Sequence, residues 1–270
     1  MRLKTVSARH GALWVRQGFR AFLKQPMPFA ALFAAFMFVV FVLALLPFIG
    51  SLLVLALLPL VSLGFMIATR IVVEGGLPTP TVFIDPLRAD RPRVTAMIQL
   101  GLGYAAATFL VMWLSDVVDG GAFGALMEAL PAEQSSPEAV AAKLDVSGLG
   151  LGLLLRFGLA GLLSVPFWHA PALVFWDGHG AAKALFSSTL ACWRNRGAFA
   201  VYGLTWLGLI MLIGMLSSLV FPLLGQSRLF AIAAVPMSLI LTTVFYVSLY
   251  FTFADSFDNA EDAETIARLE

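Results

Sequence analysis

Six long apolar runs dominate the sequence, and each contains roughly 20 residues or more, enough to cross a bilayer as an α-helix. Backbone groups without partners are costly in lipid, so a membrane-spanning segment is either a helix or part of a closed barrel. These continuous runs lack the alternating pattern of barrel strands. The sequence therefore predicts an all-α polytopic membrane bundle. Its six transmembrane helices are predicted at residues 28–48, 51–73, 94–114, 148–176, 198–224 and 229–254.

The composition agrees with this class of protein. Hydrophobic residues make up 60% of the 270-residue chain and charged residues only 12%, which excludes an ordinary soluble domain. The net charge of +1 creates no global basic field of the kind that attracts nucleic acid. We therefore expect a single integral membrane domain over residues 1–270, with no nucleic acid partner.

Two segments outside the spans have the pattern of amphipathic helices. Residues 8–24 repeat apolar side chains at alternating spacings of four and three, and cations occupy the opposite face. The apolar positions are Ala8, Ala12, Val15, Phe19 and Phe22. This helix is predicted to lie on the membrane, with its Phe side chains and Trp14 among the headgroups and its cations on anionic lipid. Residues 178–196 are predicted to form a second such helix. The predicted lipid-surface contacts are Arg9, Arg16, Arg20, Lys24, Lys183 and Arg194.

The distribution of Lys and Arg predicts the orientation. Fourteen of these cations fall in the N-terminal segment, the second-to-third connection, the fourth-to-fifth connection and the C-terminal tail. The alternate connections hold two, Lys143 and Arg228, and Arg156 lies within a span. Cytoplasmic connections carry the excess of Lys and Arg, so both termini are predicted to be cytoplasmic.

The longest break between spans, residues 115–147, carries six acidic residues and is predicted to be an external, solvated acidic loop. Ser136-Pro137 has the pattern of a helix start, which predicts a short helix over 137–144. The acidic tail, 255–270, is predicted to be a frayed cytoplasmic helix.

The order of the elements indicates an internal repeat. A surface helix followed by two spans occurs at residues 8–73 and again at 178–254, and residues 81–176 carry a weaker version. The hypothesis is three helical hairpin units around a common axis.

Arg156 is the first candidate functional residue, because a charge inside a membrane span is expensive. Its side chain could extend to the outer interface or pair with Asp116, Asp119 or Asp145. The alternative is a binding site for an anionic substrate.

His169 and Trp168 are the second candidates. They lie between Pro166 and Pro171, where a helix loses two backbone donors and is expected to kink. The imidazole or the indole could satisfy the freed carbonyls, and proton relay or ligand binding is the alternative for the imidazole. Thirteen residues, about 20 Å along a helix, separate His169 from Arg156, so the two are not expected to form one compact site.

The sequence contains no recognisable catalytic or nucleotide-binding motif. Its single cysteine, Cys192, allows no intrachain disulfide and no multi-cysteine metal site. We therefore expect no metal, no cofactor and no enzymatic activity.

Three stretches carry a resemblance to a known family: GALWVRQGFRAFLKQP, PALVFWDGHGAAKALFSS and WRNRGAFAVYGL. They resemble an uncharacterised family of proteobacterial six-span inner-membrane proteins. That family is distantly similar to YciC-type proteins and to the membrane domains of some glycerophosphodiester phosphodiesterases. The resemblance implies a bacterial inner membrane and a multi-pass fold, and it transfers no active site.

Two functions from different classes fit these features. One is a non-catalytic structural, assembly or regulatory protein, whose partners are anionic membrane lipids and either another membrane protein or a second copy of itself. The other is a small-molecule or lipid carrier with a site between the helical repeats. A carrier predicts Arg156 and His169 on one continuous polar path, whereas a scaffold predicts that both residues face neighbouring helices.

Overall fold

The computed structural model describes residues 2–47, 49–129, 146–223 and 227–258. Within these ranges, six helical spans are long and apolar enough to cross a membrane. The prediction of an all-α polytopic bundle is therefore confirmed. The predicted short helix at 137–144, Asp145 and the tail beyond residue 258 lie outside the described residues. The three-fold repeat stays a prediction.

The helices differ in detail from the predicted spans. In chain order they are α1 (His10–Lys24), α2 (Pro26–Ala44), α3 (Ile49–Val73), α4 (Arg91–Asp119), α5 (Ala122–Ala129), α6 (Val146–Phe167), α7 (Ala170–Asp177), α8 (Ala181–Arg194), α9 (Arg196–Leu223) and α10 (Ser227–Ser256). Two short 3-10 helices, Pro80–Phe83 and Asp85–Arg88, connect α3 to α4. Strands β1 (Arg2–Leu3) and β2 (Phe257–Asp258) form one antiparallel pair.

Short connections make successive spans antiparallel, so the connections alternate between the two ends of the bundle. One end holds α1, the two 3-10 helices, α8 and the β1–β2 pair, and we call it the basic end. The turn at residues 45–47 and helix α5 lie at the opposite end.

The region predicted as an external acidic loop, 115–147, begins as helix. Helix α4 continues to Asp119 and ends at Gly120, which has a left-handed φ of 61° that suits glycine. Helix α5 follows at once. The prediction of a loop starting at residue 115 is therefore wrong. The acidic residues suggested a solvated loop, but Asp116 and Asp119 pair with Arg156 on the neighbouring span.

The fourth span is interrupted, and α6 and α7 are its two halves. Trp168 and His169 separate them, just after Pro166 and just before Pro171. Proline supplies no backbone donor, so a break at this position follows from the sequence.

Helix α1 buries two of its aromatic side chains, Trp14 and Phe22, inside the bundle. It packs across α9 and α10, and Trp14, Val15 and Phe22 are buried against them and the core. The prediction that Trp14 enters the headgroup region is therefore wrong. The physical reason is two glycines one heptad apart on the buried face. A Cβ on Gly11 would overlap the backbone of α9, and a Cβ on Gly18 would lie 2.7 Å from Ser248 Cβ of α10.

Aromatic rings join α1, the interrupted span, α9 and α10 into one core. The five rings, which we call the aromatic cluster, are Trp14, Trp168, Phe199, Tyr202 and Phe245. Centroid separations within it run from 5.3 Å for Trp14–Phe199 to 6.2 Å for Tyr202–Phe245. Tilted and edge-on pairs at such distances are favourable beyond the area they bury.

Candidate functional site

The basic end is tied together by one buried side chain, Asn195, between α8 and α9. Its Oδ1 accepts a hydrogen bond from the backbone N–H of Val6 at 2.9 Å. Its Nδ2 donates to the backbone oxygen of Lys4 at 3.0 Å and lies 3.4 Å from the hydroxyl of Ser256. One amide thus joins the N-terminal segment, the α8–α9 junction and the end of α10.

Trp14 of α1 also connects to the end of α10 at this basic end. Its indole Nε1 donates to Asp255 Oδ2 at 2.7 Å, in the last turn of α10. The backbone N–H of Lys4 also donates to Ser256 O at 2.9 Å. The predicted cytoplasmic tail is therefore anchored at its start, where residues 257–258 pair with residues 2–3.

Cations cover the outside of this anchored end. Of the predicted lipid-surface contacts, Arg20 is half-buried, and the other five are exposed: Arg9, Arg16, Lys24, Lys183 and Arg194. On α1, the cations face outward because Gly11, Gly18, Trp14 and Phe22 occupy the inner face of the helix. Contact between these cations and lipid stays a prediction.

Arg156 pairs with two aspartates of α4. Its Nη2 contacts Asp116 Oδ1 and lies 3.5 Å from Asp119 Oδ2. The Asp119 side chain is fully buried, and its other oxygen accepts a hydrogen bond from the N–H of Gly121 at 2.8 Å. The guanidinium also lies 4.0 Å from the centroid of the Phe123 ring. Structural pairing, one of the two interpretations of Arg156, is what the structure contains.

Gly152 makes this pairing geometrically feasible. It lies one turn before Arg156 on α6, and a Cβ there would lie 2.4 Å from Asp119 Cβ. The bare backbone lets α4 approach α6 closely, as small residues do in membrane helix pairs. Asp119 therefore lies within reach of the guanidinium.

His169 is fully buried in an aromatic surrounding. The rings of Phe199, Phe253 and Phe257 lie 5.8, 5.7 and 5.5 Å from the imidazole centroid. Neither ring nitrogen has a hydrogen-bond partner within the described ranges. The imidazole therefore does not satisfy the carbonyls freed at the break, which is the role predicted for it.

Ser188 of α8 performs that role instead. Its hydroxyl accepts from the backbone N–H of His169 at 3.0 Å and donates to the backbone oxygen of Val165 at 2.9 Å. In an unbroken helix this N–H would donate directly to this oxygen. The Ser188 hydroxyl is therefore inserted between the donor and the acceptor of one helical hydrogen bond. Such an insertion is a known cause of a helix kink.

Trp168 lines a groove between α6 and α9. The groove has a volume of about 670 Å³, within the range of ligand sites, and its walls are mostly apolar. Gly161 and Ser164 line it from α6, Gly203 and Trp206 from α9, and Phe245 from α10. The Trp168 indole donates to Thr252 Oγ1 at 3.1 Å, so this bond does not satisfy a carbonyl freed at the break.

The groove reaches the basic end at Arg196, the first residue of α9. The Arg196 guanidinium lies 5.6 Å from the Trp193 ring centroid, and both side chains are exposed. None of the described residues that line the groove carries a carboxylate. Its mouth is therefore positively charged while its walls are apolar.

The predicted site residues do not converge. Trp168 lines the groove, whereas Arg156 and His169 are absent from its walls. No group of three or more metal-ligating side chains occurs in the part of the chain that the structure describes.

Sequence reasoning missed four residues that define the groove, the basic end and the α6–α7 break. They are Asn195, Ser188, Gly161 and Gly203. Asn195 carried a signal, a lone amide between two helices in the sequence WRNRG. The two glycines carried no such signal, because the sequence pattern does not reveal which glycines face a gap rather than a neighbouring helix.

Comparison with known proteins gives one relative. No family model and no solved structure matches the chain. A probable inner membrane protein of Burkholderia thailandensis is 35% identical over 258 residues, which cover 95% of this chain and 94% of the relative. The more distant resemblance to YciC-type proteins and to phosphodiesterase membrane domains stays a prediction.

Proposed function

The chain belongs to the family of the Burkholderia thailandensis probable inner membrane protein, and from that premise we propose a non-catalytic structural or assembly role in the bacterial inner membrane. Both termini lie in the cytoplasm. The anchored basic end presents its cations to anionic lipid headgroups and to a membrane protein partner or a second copy of the chain.

The anchoring of the basic end by Asn195 is the observation that carries this proposal. A single buried amide holds the N-terminal segment against α8, α9 and α10. The exposed cations of α1 and α8 therefore occupy fixed positions on one body. A fixed basic surface suits persistent contact with anionic headgroups or with an acidic partner surface.

The surroundings of Arg156 also favour a structural role. The Arg156 side chain is 15% exposed, and two carboxylates pair with its Nη2, so the positive charge that would attract an anionic substrate is already balanced. Such a pair stabilises the contact between α4 and α6.

The cytoplasmic position of the basic end follows from the positive-inside rule. Arg9, Arg16 and Lys24 are exposed there together with Lys183 and Arg194. Asp116 and Asp119 mark the opposite end of α4.

The experiment is purification in native-lipid nanodiscs, with mass spectrometry of co-purifying proteins and lipids. The test variant is Arg9→Glu/Arg16→Glu/Lys24→Glu, and the control Arg9→Lys/Arg16→Lys/Lys24→Arg keeps the charge. A stoichiometric protein or second copy, lost from the test variant and kept by the control, supports the proposal. Absence of both from the wild-type particle contradicts it.

A lipid or small-molecule carrier is the second candidate, and the groove beside Trp168 favours it. A carrier was expected to place Arg156 and His169 on one polar path. Neither residue lines the groove, so a carrier would have to use Trp168 and Arg196 instead.

A further inference from the structure

We propose that the groove between α6 and α9 binds one anionic phospholipid of the leaflet at the basic end. An acyl chain lies along the glycine-lined walls, and the phosphate lies at Arg196. This inference does not rest on the structural role, because the groove can hold a lipid whether or not a partner protein binds.

Glycines on the two facing helices leave the space of the groove. Gly161 of α6 and Gly203 of α9 both line it, and a Cβ added to either glycine would meet no atom within 4 Å. Each wall therefore has room for a chain of methylene groups, bounded on the inner side by Trp168 and Phe245.

Bilayer lipids have direct access to this space. Leu162 of α6 and Leu204 and Leu207 of α9 are exposed beside the groove, on faces that a membrane would cover. An acyl chain can thus enter sideways from the bilayer, without passing through a polar entrance.

The charge at the mouth selects the headgroup. Arg196 has no carboxylate partner among the described residues, and its guanidinium lies over Trp193. Tryptophan is enriched at the membrane–water interface, which places the mouth at headgroup depth. The N-terminus of α9 adds a positive dipole end, and a phosphate oxygen accepts well from a guanidinium. An amphiphile with an apolar tail and an anionic head complements this arrangement.

The test uses native mass spectrometry of detergent-purified, delipidated protein. Phosphatidylglycerol and phosphatidylcholine with identical acyl chains are added at equal concentration. We expect the wild type to keep one phosphatidylglycerol in preference to phosphatidylcholine. Arg196→Gln is expected to reduce that preference about tenfold, equivalent to about 1.4 kcal/mol.

Filling the groove tests the acyl-chain contact separately. Gly203→Leu places a side chain in the groove, and Gly208→Leu is its matched control, because Gly208 is an exposed α9 glycine with equal free space outside the groove. Gly161→Leu with the control Gly158→Leu repeats the test on α6, should the first variant fail to fold. We expect the groove variants to lose the retained lipid and the controls to keep it.

Three results would overturn the proposal. One is equal retention of phosphatidylglycerol by groove variants and controls. A second is equal retention of both lipids by the wild type, which would indicate ordinary annular lipid. The third is loss of the lipid in Arg9→Gln/Arg16→Gln/Lys24→Gln but not in Arg196→Gln, which would place it on the outer basic surface.

Discussion

The indole of Trp14 donates a hydrogen bond across 2.7 Å to the carboxylate of Asp255, joining the first helix to the last. The two residues are 241 positions apart in the chain. The contact shows why α1 belongs to the bundle core, although its sequence has the pattern of a helix on a membrane surface.

Removing this donor should loosen the basic end. Trp14→Phe keeps most of the aromatic packing and loses the hydrogen bond to a carboxylate, which is expected to cost about 1.5–3 kcal/mol. Thermal unfolding in detergent measures the loss, and Trp113→Phe, at an exposed position, is the control. Equal melting temperatures for the two variants would show that the contact contributes nothing.

Asn195→Ala should release the N-terminal segment. The substitution leaves the N–H of Val6 and the carbonyl of Lys4 without this partner, each costing about 1–3 kcal/mol where it stays buried. Hydrogen exchange over residues 4–15 should rise. Gln25→Ala is the control. Gln25 lies at the α1–α2 junction as Asn195 lies at the α8–α9 junction, but its side chain makes no capping bond. Unchanged protection in Asn195→Ala would contradict the anchoring role.

Arg156→Leu should destabilise the contact between α4 and α6. It leaves the buried Asp119 carboxylate without its cation, a change that costs about 3 kcal/mol in buried pairs. Arg156→Leu/Asp119→Leu should recover much of that loss, because both charges are removed. Thermal unfolding of the two variants measures both the loss of stability and its recovery. Stability equal to wild type in Arg156→Leu would indicate that the arginine is kept for a ligand.

His169→Leu should fold with stability equal to or above wild type. Both imidazole nitrogens lack partners among the described residues, and an unpaired buried polar group costs about 1–3 kcal/mol, whereas leucine fills a similar volume without polar atoms. His169→Ala should destabilise the protein, because it leaves a cavity beside Phe199, Phe253 and Phe257. Marked destabilisation by leucine would show that the imidazole makes a contact through a bound water or ligand.

The span count and the pairing of Arg156 could be predicted from the sequence. Run length alone identifies a helix that crosses a bilayer, and a charge inside a span needs a nearby partner of opposite sign. The break after Pro166 was also predictable, because it depends on local backbone chemistry.

The rotation of α1 could not be predicted. Its apolar face looked centred on Ala12 and Phe19, but the contact face is set by where Gly11 and Gly18 meet α9 and α10. That choice depends on helices more than 180 residues away. The same limit applies to Ser188, whose place in the α6–α7 break is fixed by tertiary packing.

The side of the membrane on which the basic end lies can be measured directly by cysteine labelling. Single cysteines at Ser7, on the basic end, and at Leu46, in the opposite turn, are introduced into a Cys192→Ala background. Both positions are exposed. Spheroplasts are then treated with a membrane-impermeant maleimide. A cytoplasmic basic end predicts labelling of Leu46→Cys in intact spheroplasts and of Ser7→Cys only after lysis. The reverse pattern would contradict the proposed cytoplasmic basic surface.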